Sequence, residues 1–281
     1  MSDIEMEDWA GEVGDRWLAH IDQFESMITP IGDALLARAA FRPGERVVDV
    51  GCGGGLTTLA IARAVGPDGA VTGIDIAPQL ITLANQRRDQ AGLGNCTFQC
   101  ADGQTAQAEG APFDRLTSRF GVMFFGNSQA AFTNLRGWLK PGGEVLFACW
   151  AAPQENPWIG VVGGIISQFV EVPQRDPDGP GPFRFADPEA TGAMLRAAGF
   201  TDVDFQPHRA EQPLGGTGAG VDGAIDFVLE AMAMRAPLAA AGPDVPARAR
   251  AALAEAFRGY ERGGSVLMPG MSWFVSARNP G

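Results

Sequence analysis

The sequence is poor in positive charge and contains no long apolar run. It has 21 Lys and Arg against 33 Asp and Glu, which gives a formal net charge of -12. Nucleic-acid binding without sequence preference depends on clustered cations, so we expect no nucleic-acid partner. No uninterrupted apolar stretch approaches the roughly 20 residues of a membrane-spanning helix, so we expect no membrane partner. Small molecules are the partners that this composition favours.

Cysteine is also scarce. The four cysteines, Cys52, Cys96, Cys100 and Cys149, show no CxxC spacing, and this argues against a zinc site and against a disulfide framework. We therefore expect free thiols and no metal site. The first residues, MSDIEMEDWAGE, lack the basic and apolar parts of a secretory signal, and the expected location is the cytoplasm.

Residues 45–150 alternate between short apolar runs and segments with helical periodicity, which is the pattern of βαβ units around a parallel sheet. The predicted strands of this stretch are Arg46–Val50, Ala70–Ile74, Thr97–Cys100, Phe113–Ser118 and Glu144–Cys149. Two later runs, Val203–His208 and Ser272–Ala277, bring the total to seven. We predict an α/β fold with a doubly wound, mostly parallel, seven-stranded Rossmann-like sheet. A ligand of such a sheet lies beyond the carboxyl ends of the strands, where the strand order reverses.

A glycine-rich turn follows the first predicted strand and reads Asp49-Val50-Gly51-Cys52-Gly53-Gly54-Gly55. The GxGxxG pattern of dinucleotide-binding proteins fails in both frames, because Leu56 and Thr58 stand where its third glycine belongs. The GK[ST] ending of a phosphate-binding P-loop is absent as well. An acidic residue followed by alternating glycines suits a cationic or hydroxylated ligand better than a pyrophosphate.

Five motifs in order carry a resemblance to a known family. They are Asp49–Gly55, Gly73–Ile76, Ala101–Gly103, Phe113-Asp114 and Leu139–Gly143. Together they resemble the motif series of class I S-adenosylmethionine-dependent methyltransferases across residues 45–150. The stretches Trp17–Met27 and Ser118–Phe125 are further similar to a bacterial group of small-molecule methyltransferases of the UbiE type.

This resemblance implies S-adenosylmethionine as cofactor, with S-adenosylhomocysteine as product. The implied cofactor-binding residues are Asp49, Gly51, Gly53, Gly55, Asp75, Ile76, Asp102, Gly103, Arg119 and Phe120. In the family's arrangement the glycines let the turn close on the cofactor, and Asp49 binds its ammonium directly or through water. Asp75 would accept hydrogen bonds from the ribose hydroxyls. The alternative for Asp75 is that it only caps the following helix.

The remaining roles concern the adenine and the entrance to the site. Ile76 would pack on the adenine ring, Asp102 would accept a hydrogen bond from its amino group, and Gly103 would offer a backbone N–H. Arg119 and Phe120 would line the pocket near the sulfonium. For Arg119 a surface salt bridge is the competing interpretation.

Side chains that could act as a general base near neutral pH are few, since the chain has two histidines and one tyrosine. His20 falls on an N-terminal helix that tends to cover the cofactor pocket in this family, and it is the candidate base. The competing interpretation is a surface histidine on a helix. His208 is interpreted as structural.

The chain is expected to form one domain over residues 1–281, with a cofactor-binding core at 45–150. Residues 1–44, with predicted helices Val13–Met27 and Pro30–Ala40, would form a helical lid, and 151–186 and 212–265 would be substrate-cap insertions. The predicted function is methyl transfer to a small, hydrophobic or aromatic metabolite. Other chemistry on the same cofactor, or ligand binding without catalysis, are the alternatives. A homodimer is left open.

Overall fold

A computed structural model describes residues 8–172, 176 and 179–281. Residues 1–7 of the predicted lid, and 173–175, 177 and 178 of the first predicted cap insertion, lie outside the described residues. The strands are β1 Arg46–Val50, β2 Ala70–Asp75, β3 Cys96–Cys100, β4 Phe113–Arg119, β5 Leu139–Trp150, β6 Thr201–Leu214, β7 Glu261–Arg262 and β8 Ser265–Arg278. The helices are α1 Glu12–Ala19, α2 Ile21–Ala39, α3 Leu56–Val65, α4 Pro78–Ala91, α5 Ser128–Gly137, α6 Pro157–Ile166, α7 Pro188–Ala197, α8 Gly220–Ala231, α9 Arg235–Ala240 and α10 Val245–Arg258.

One sheet organises the chain, with strand order β3-β2-β1-β4-β5-β8-β6 and the two-residue β7 paired to β8. Strands β1 to β5 pair in parallel, while β8 runs antiparallel to both β5 and β6. The predicted seven-stranded, mostly parallel sheet is therefore confirmed along its main path. The order reverses between β1 and β4, which places the predicted ligand edge at their carboxyl ends.

The strands near this point are buried on both faces. Val47 and Val48 on β1 are both 0% exposed, and Leu116 on β4 is 1% exposed. Helices pack on each side of a parallel sheet, so its central strands carry nearly continuous apolar sequence. This explains why the short apolar runs predicted β1, β2, β4 and the body of β5 well. Among the described helices, none combines the length and the apolar character that crossing a bilayer requires.

The N-terminal helices begin and end differently from the prediction. The expected break near Met27 is wrong: the chain breaks at His20, and α2 continues through Pro30. Trp17 stacks on Phe24 across this break, with ring centroids 3.9 Å apart. Packing of the two helices has thus outweighed the local effect of proline, which removes one backbone donor from the helix.

Both late strands are longer than predicted. The register between β6 and β8 is unbroken from Asp204 to Leu214, whereas β5 ends at Trp150, which pairs with Ser272. Residues 209–214 and 265–271 consequently form a two-stranded β6–β8 arm that extends past the carboxyl end of β5. Pro213 hid this extension in the sequence, but β6 is an edge strand, where proline is tolerated.

Candidate active site

The glycine turn after β1 begins with a close contact between two backbones. Gly51 has φ +67°, and a Cβ added to it would lie 2.6 Å from the Cα of Gly121, the residue that follows Phe120 beyond β4. A side chain at either position would force the ends of β1 and β4 apart. Gly51 is therefore required by the packing of the turn at the point where the strand order reverses.

Gly53 and Gly55 differ in what surrounds them. Gly55, with φ +81°, would place a Cβ 2.8 Å from the ring of Phe98. Gly53 has φ +54°, and no atom lies within 4 Å of the position its Cβ would take. The turn therefore presents an open cradle at Gly53, which a side chain would fill, while its neighbours are packed against the protein.

Asp75 lies at the end of β2 and binds the turn directly. Its Oδ2 accepts a hydrogen bond from Gly53 N at 2.8 Å, and its Oδ1 accepts one from Ala77 N at 2.9 Å. The second bond is made to the N–H of Ala77, the N-cap residue of α4, so Asp75 fixes the approach to the helix and does not cap its first turn. Each carboxylate oxygen has a second lone pair, so Asp75 can still accept bonds from a diol. Burial raises the pKa of Asp75.

Asp49 lies behind the turn. It is 1% exposed, and its Oδ2 accepts a hydrogen bond from the Thr58 hydroxyl at 2.7 Å. Burial raises the pKa of Asp49 from 3.8 to about 6, opposed by that hydrogen bond and by the positive charge of Arg119. Because Asp49 is buried, it cannot contact a ligand directly. An ammonium would therefore interact with it through water or through its charge.

A pH dependence follows from Asp49. Protonation below its raised pKa of about 6 removes the negative charge that favours a cationic ligand, so affinity for S-adenosylmethionine should fall roughly threefold per pH unit below this value. Titration calorimetry at several pH values measures the change.

The folding stability of the ligand-free chain should change with pH in the opposite direction. Because the pKa of Asp49 is raised from 3.8 to about 6 in the folded chain, the free energy of unfolding falls as pH rises through this range, by about 3 kcal/mol.

The matched variant for this test is Asp49→Asn. It should bind S-adenosylmethionine more weakly at neutral pH and show little change across the same pH range. A steep decline in affinity that persists in Asp49→Asn would assign the titration to another group.

Apolar surface is exposed beside the cradle. Ile76 and Leu56, at 41% and 39% exposure, are the exposed large hydrophobic side chains among the described residues. Ile76 follows Asp75, and Leu56 follows Gly55. Exposure of both at one edge of the sheet leaves an uncovered apolar surface that a flat ring can cover.

Asp102 and Gly103 lie in the turn after β3. The Asp102 carboxylate accepts hydrogen bonds from Gln104 N at 2.8 Å and from the Thr105 hydroxyl at 3.3 Å. Gly103 is buried, and its carbonyl accepts a bond from Asn134 Nδ2 at 3.1 Å. The turn is thus fixed by its own bonds, and Asp102 keeps free lone pairs.

Arg119 and Phe120 end β4. Arg119 lies against α2, since a Cβ at Gly32 would be 2.8 Å from its Nη1. Burial lowers the pKa of Arg119, although nearby Asp49 favours its charge. Within the described part of the chain the guanidinium has no hydrogen bond or ion pair, so the surface salt bridge is not formed. Phe120, at φ +66°, stacks on Trp150 with ring centroids 4.3 Å apart.

Sequence reasoning missed an ion pair that ties α2 to the glycine turn. Arg87 on α4 binds both Glu25 oxygens, at 2.6 and 2.9 Å, and donates to the Gly54 carbonyl at 3.0 Å. Glu25 is 8% exposed. The signal in the sequence was an acidic residue on the apolar face of an amphipathic helix, where a buried charge requires a partner.

His20 marks the junction of α1 and α2. Its backbone is non-helical, with φ -121° and ψ 25°. Its imidazole is partly exposed and makes no hydrogen bond or ring contact with the described residues. Nor do the described residues contain a group of three or more His, Cys, Asp or Glu side chains that could hold a metal ion.

The N-terminal helices reach the ligand edge through aromatic contacts. The ring centroid of Trp9 lies 4.8 Å from that of Phe124, which follows β4, and 5.7 Å from that of Trp17. Phe24 on α2 contacts Phe227 on α8, with ring centroids 4.8 Å apart. These contacts join the N-terminal helices to α8 at the edge of the sheet that carries the cradle.

Comparison with known proteins supports the family that the motifs predicted. Residues 47–143 match the family described as methyltransferase domain. Proteins similar to the chain include the aklanonic acid methyltransferase DauC of Streptomyces sp. (strain C5) and the nocamycin O-methyltransferase of Saccharothrix syringae. DauC is 34% identical over 119 residues, 42% of this chain and 54% of DauC. The nocamycin enzyme is 30% identical over 183 residues, 62% of this chain and 65% of that enzyme.

The chain therefore matches between one half and two thirds of the length of these relatives. Its fold also resembles the crystal structure of the [4+2]-cyclase SpnF. That similarity has a TM-score of 0.53 at 20% identity and covers 92% of this chain and 96% of SpnF. At such identity the likeness concerns the fold alone.

Proposed function

We propose that the chain transfers a methyl group from S-adenosylmethionine to a small-molecule acceptor. The observation that carries this proposal is the open cradle at Gly53, flanked by the Asp75 carboxylate and the exposed side chain of Ile76. A nucleoside that carries an amino acid has a diol, a flat ring and a flexible chain, and these three features of the edge complement it.

The residues present fit this cofactor. Asp75 would hold the ribose hydroxyls, Ile76 would cover one face of the adenine, and Asp102 would accept a bond from its amino group. The unpaired guanidinium of Arg119 suits a carboxylate, and the charge of nearby Asp49 favours an ammonium. The pair would therefore recognise both ends of the cofactor's amino-acid group.

When bound, S-adenosylmethionine supplies an electrophilic methyl on a sulfonium. The chain's own contribution is to align the acceptor, to exclude water and, where the acceptor needs it, to remove a proton. The N-terminal helices and α8 to α10 would provide the covering lid and cap over a single domain. His20 remains the proposed base, supported by its free imidazole at the junction of the two lid helices.

The acceptor is proposed to be a hydrophobic or aromatic metabolite. Phe120 and Trp150 stack at the end of β4, and Trp158 contacts Trp150 edge to face at 5.5 Å. Both named relatives are methyltransferases whose names refer to small molecules. SpnF, which has a similar fold, is named a [4+2]-cyclase, and this supports the alternative of non-methyl-transfer chemistry.

The test combines binding with transfer. We expect S-adenosylmethionine to bind in calorimetry, and labelled methyl to move to acceptors in a panel of phenols, amines and thiols. Binding without transfer to any acceptor class would favour the alternative chemistry. No binding of either S-adenosylmethionine or S-adenosylhomocysteine would refute the cofactor and the enzyme together.

We also propose a cytoplasmic protein without a nucleic-acid partner, as the net charge of -12 supports. Homodimer formation is a further proposal. Sedimentation equilibrium of the purified chain, with and without S-adenosylhomocysteine, measures the oligomeric state directly.

A further inference from the structure

The β6–β8 arm carries a polar surface that the proposed chemistry leaves unused. Residues paired across strands share a face, as do alternate residues along a strand. Trp150, Ser272 and His208 are paired in one row across β5, β8 and β6, and the unbroken register puts Gln212 on the same face. Because β6 runs parallel to β5, Gln212 lies beyond the carboxyl end of β5, on the side of the sheet edge that carries the cradle.

Polar atoms on this face are buried without partners. Gln212 is 2% exposed, and both its Nε2 and its Oε1 lack a hydrogen-bond partner among the described residues. Ser272 is 1% exposed, and its hydroxyl also lacks a partner among the described residues. His208 Nε2 lacks one too. Burying such groups unpaired costs stability, so each of them needs a partner from outside the chain, which is either an ordered water or a ligand.

The face carries no charge of either sign around Gln212. Its other positions on the arm are Ala210, Leu214, Val266, Met268 and Gly270. His208 stacks on Phe274 at 4.8 Å, and burial lowers its pKa, which keeps the imidazole neutral at neutral pH. An amide and a hydroxyl both donate and accept, so the surface is complementary to an uncharged oxygen group such as a hydroxyl or a ketone.

An aromatic stack connects this surface to the cofactor edge. Ser272 pairs with Trp150, and the Trp150 ring stacks on Phe120 at the end of β4. Neighbouring strands are about 4.8 Å apart, so β8 lies about 10 Å from β4, with Trp150 between them. A ligand that contacts both ends would have to be flat in its middle and about two rings long.

We propose that Gln212 and Ser272 bind an uncharged hydroxyl or carbonyl oxygen at the distal end of a planar methyl acceptor, whose body lies along Trp150 and Phe120. The proposal rests on the proposed function, because it assigns the acceptor end of the same site. Gln212 is then a specificity-determining residue rather than a member of the fold's hydrogen-bond network.

The test uses two probes that differ in one distal hydroxyl: biphenyl with a para hydroxyl on both rings, and biphenyl with a para hydroxyl on one. Binding is measured by calorimetry with S-adenosylhomocysteine present, so that no methyl moves. The wild-type chain should bind the dihydroxy probe at least about fivefold more tightly, as one added hydrogen bond provides. Gln212→Met should abolish this preference.

Gln206→Met is the matched control, because Gln206 lies on the same strand and face but is exposed and bonded to Asp204. It should keep the preference. Gln212→Met should also unfold at a temperature about 2 °C higher, since it removes an unpaired buried amide. A lower unfolding temperature would show that the amide is bonded within the protein and would contradict the proposal.

Two further outcomes separate this inference from the proposed function. Equal binding of both probes by the wild-type chain, with cofactor affinity intact, would overturn the role of Gln212 and leave the methyltransferase proposal standing. Failure of S-adenosylmethionine to bind would overturn the proposed function. The same probe titration without cofactor then decides whether the Gln212 surface binds the distal hydroxyl by itself.

Discussion

Replacing Asp75 with alanine is expected to lower affinity for S-adenosylmethionine at least tenfold, about 1.4 kcal/mol. The substitution removes the carboxylate proposed to hold the ribose hydroxyls. It also deprives Gly53 N and Ala77 N of their acceptor, so the cradle loses its fixed geometry. Calorimetric titration of the purified variant measures the affinity, and circular dichroism shows whether the fold is retained.

Two variants sharpen this experiment. Asp75→Asn keeps one carbonyl oxygen for the backbone donors and should fall between the wild type and Asp75→Ala. Asp89→Ala removes an exposed carboxylate of α4 that pairs with Arg88, and should leave the affinity unchanged. Unchanged affinity in Asp75→Ala would rule out the assignment of Asp75.

The second large effect concerns stability. Arg87→Met should lower the free energy of unfolding by about 3 kcal/mol, because it leaves the Glu25 carboxylate buried without its cation. The two side chains are 22% and 11% exposed, so water only partly compensates the loss. The Gly54 carbonyl loses its guanidinium donor as well. Denaturant unfolding at neutral pH measures the change.

The double variant Glu25→Gln with Arg87→Met should recover part of the loss, since no unpaired charge remains. The Arg88 and Asp89 pair on the exposed side of the same helix is the control, and Arg88→Met should change stability by less than about 1 kcal/mol. Equal, small losses in Arg87→Met and Arg88→Met would mean that the buried pair does not anchor α2.

Residues with a strong local signal were predicted well from the sequence. The alternation of apolar runs predicted the sheet, because both faces of a parallel sheet are covered. The spacing of glycines after Asp49 predicted the turn, because positive φ angles and close backbone contacts require glycine. Asp75 was predicted as a strand-end carboxylate, and the structure shows it accepting hydrogen bonds from Gly53 N in the turn and from Ala77 N before α4.

Features that depend on contacts between distant segments could not be predicted in the same way. The break at His20 follows from the stacking of Trp17 on Phe24 rather than from proline. The pairing of Glu25 with Arg87 joins residues 62 positions apart. The extension of β6 carries Pro213, which argues against a strand in the local sequence, and its partner β8 comes much later in the chain. Gln212 had no local pattern at all.

The bonds from Gly53 and Ala77 to Asp75 bear on the thermodynamics of ligand capture. They hold the turn in its binding geometry as part of the native fold, so a ligand need not order the backbone when it arrives. Association then loses little conformational entropy, and in the proposed reaction the rigid turn would bind S-adenosylmethionine and S-adenosylhomocysteine equally well. Any preference between the two would then arise where they differ, at the sulfur and its methyl, and not at the ribose.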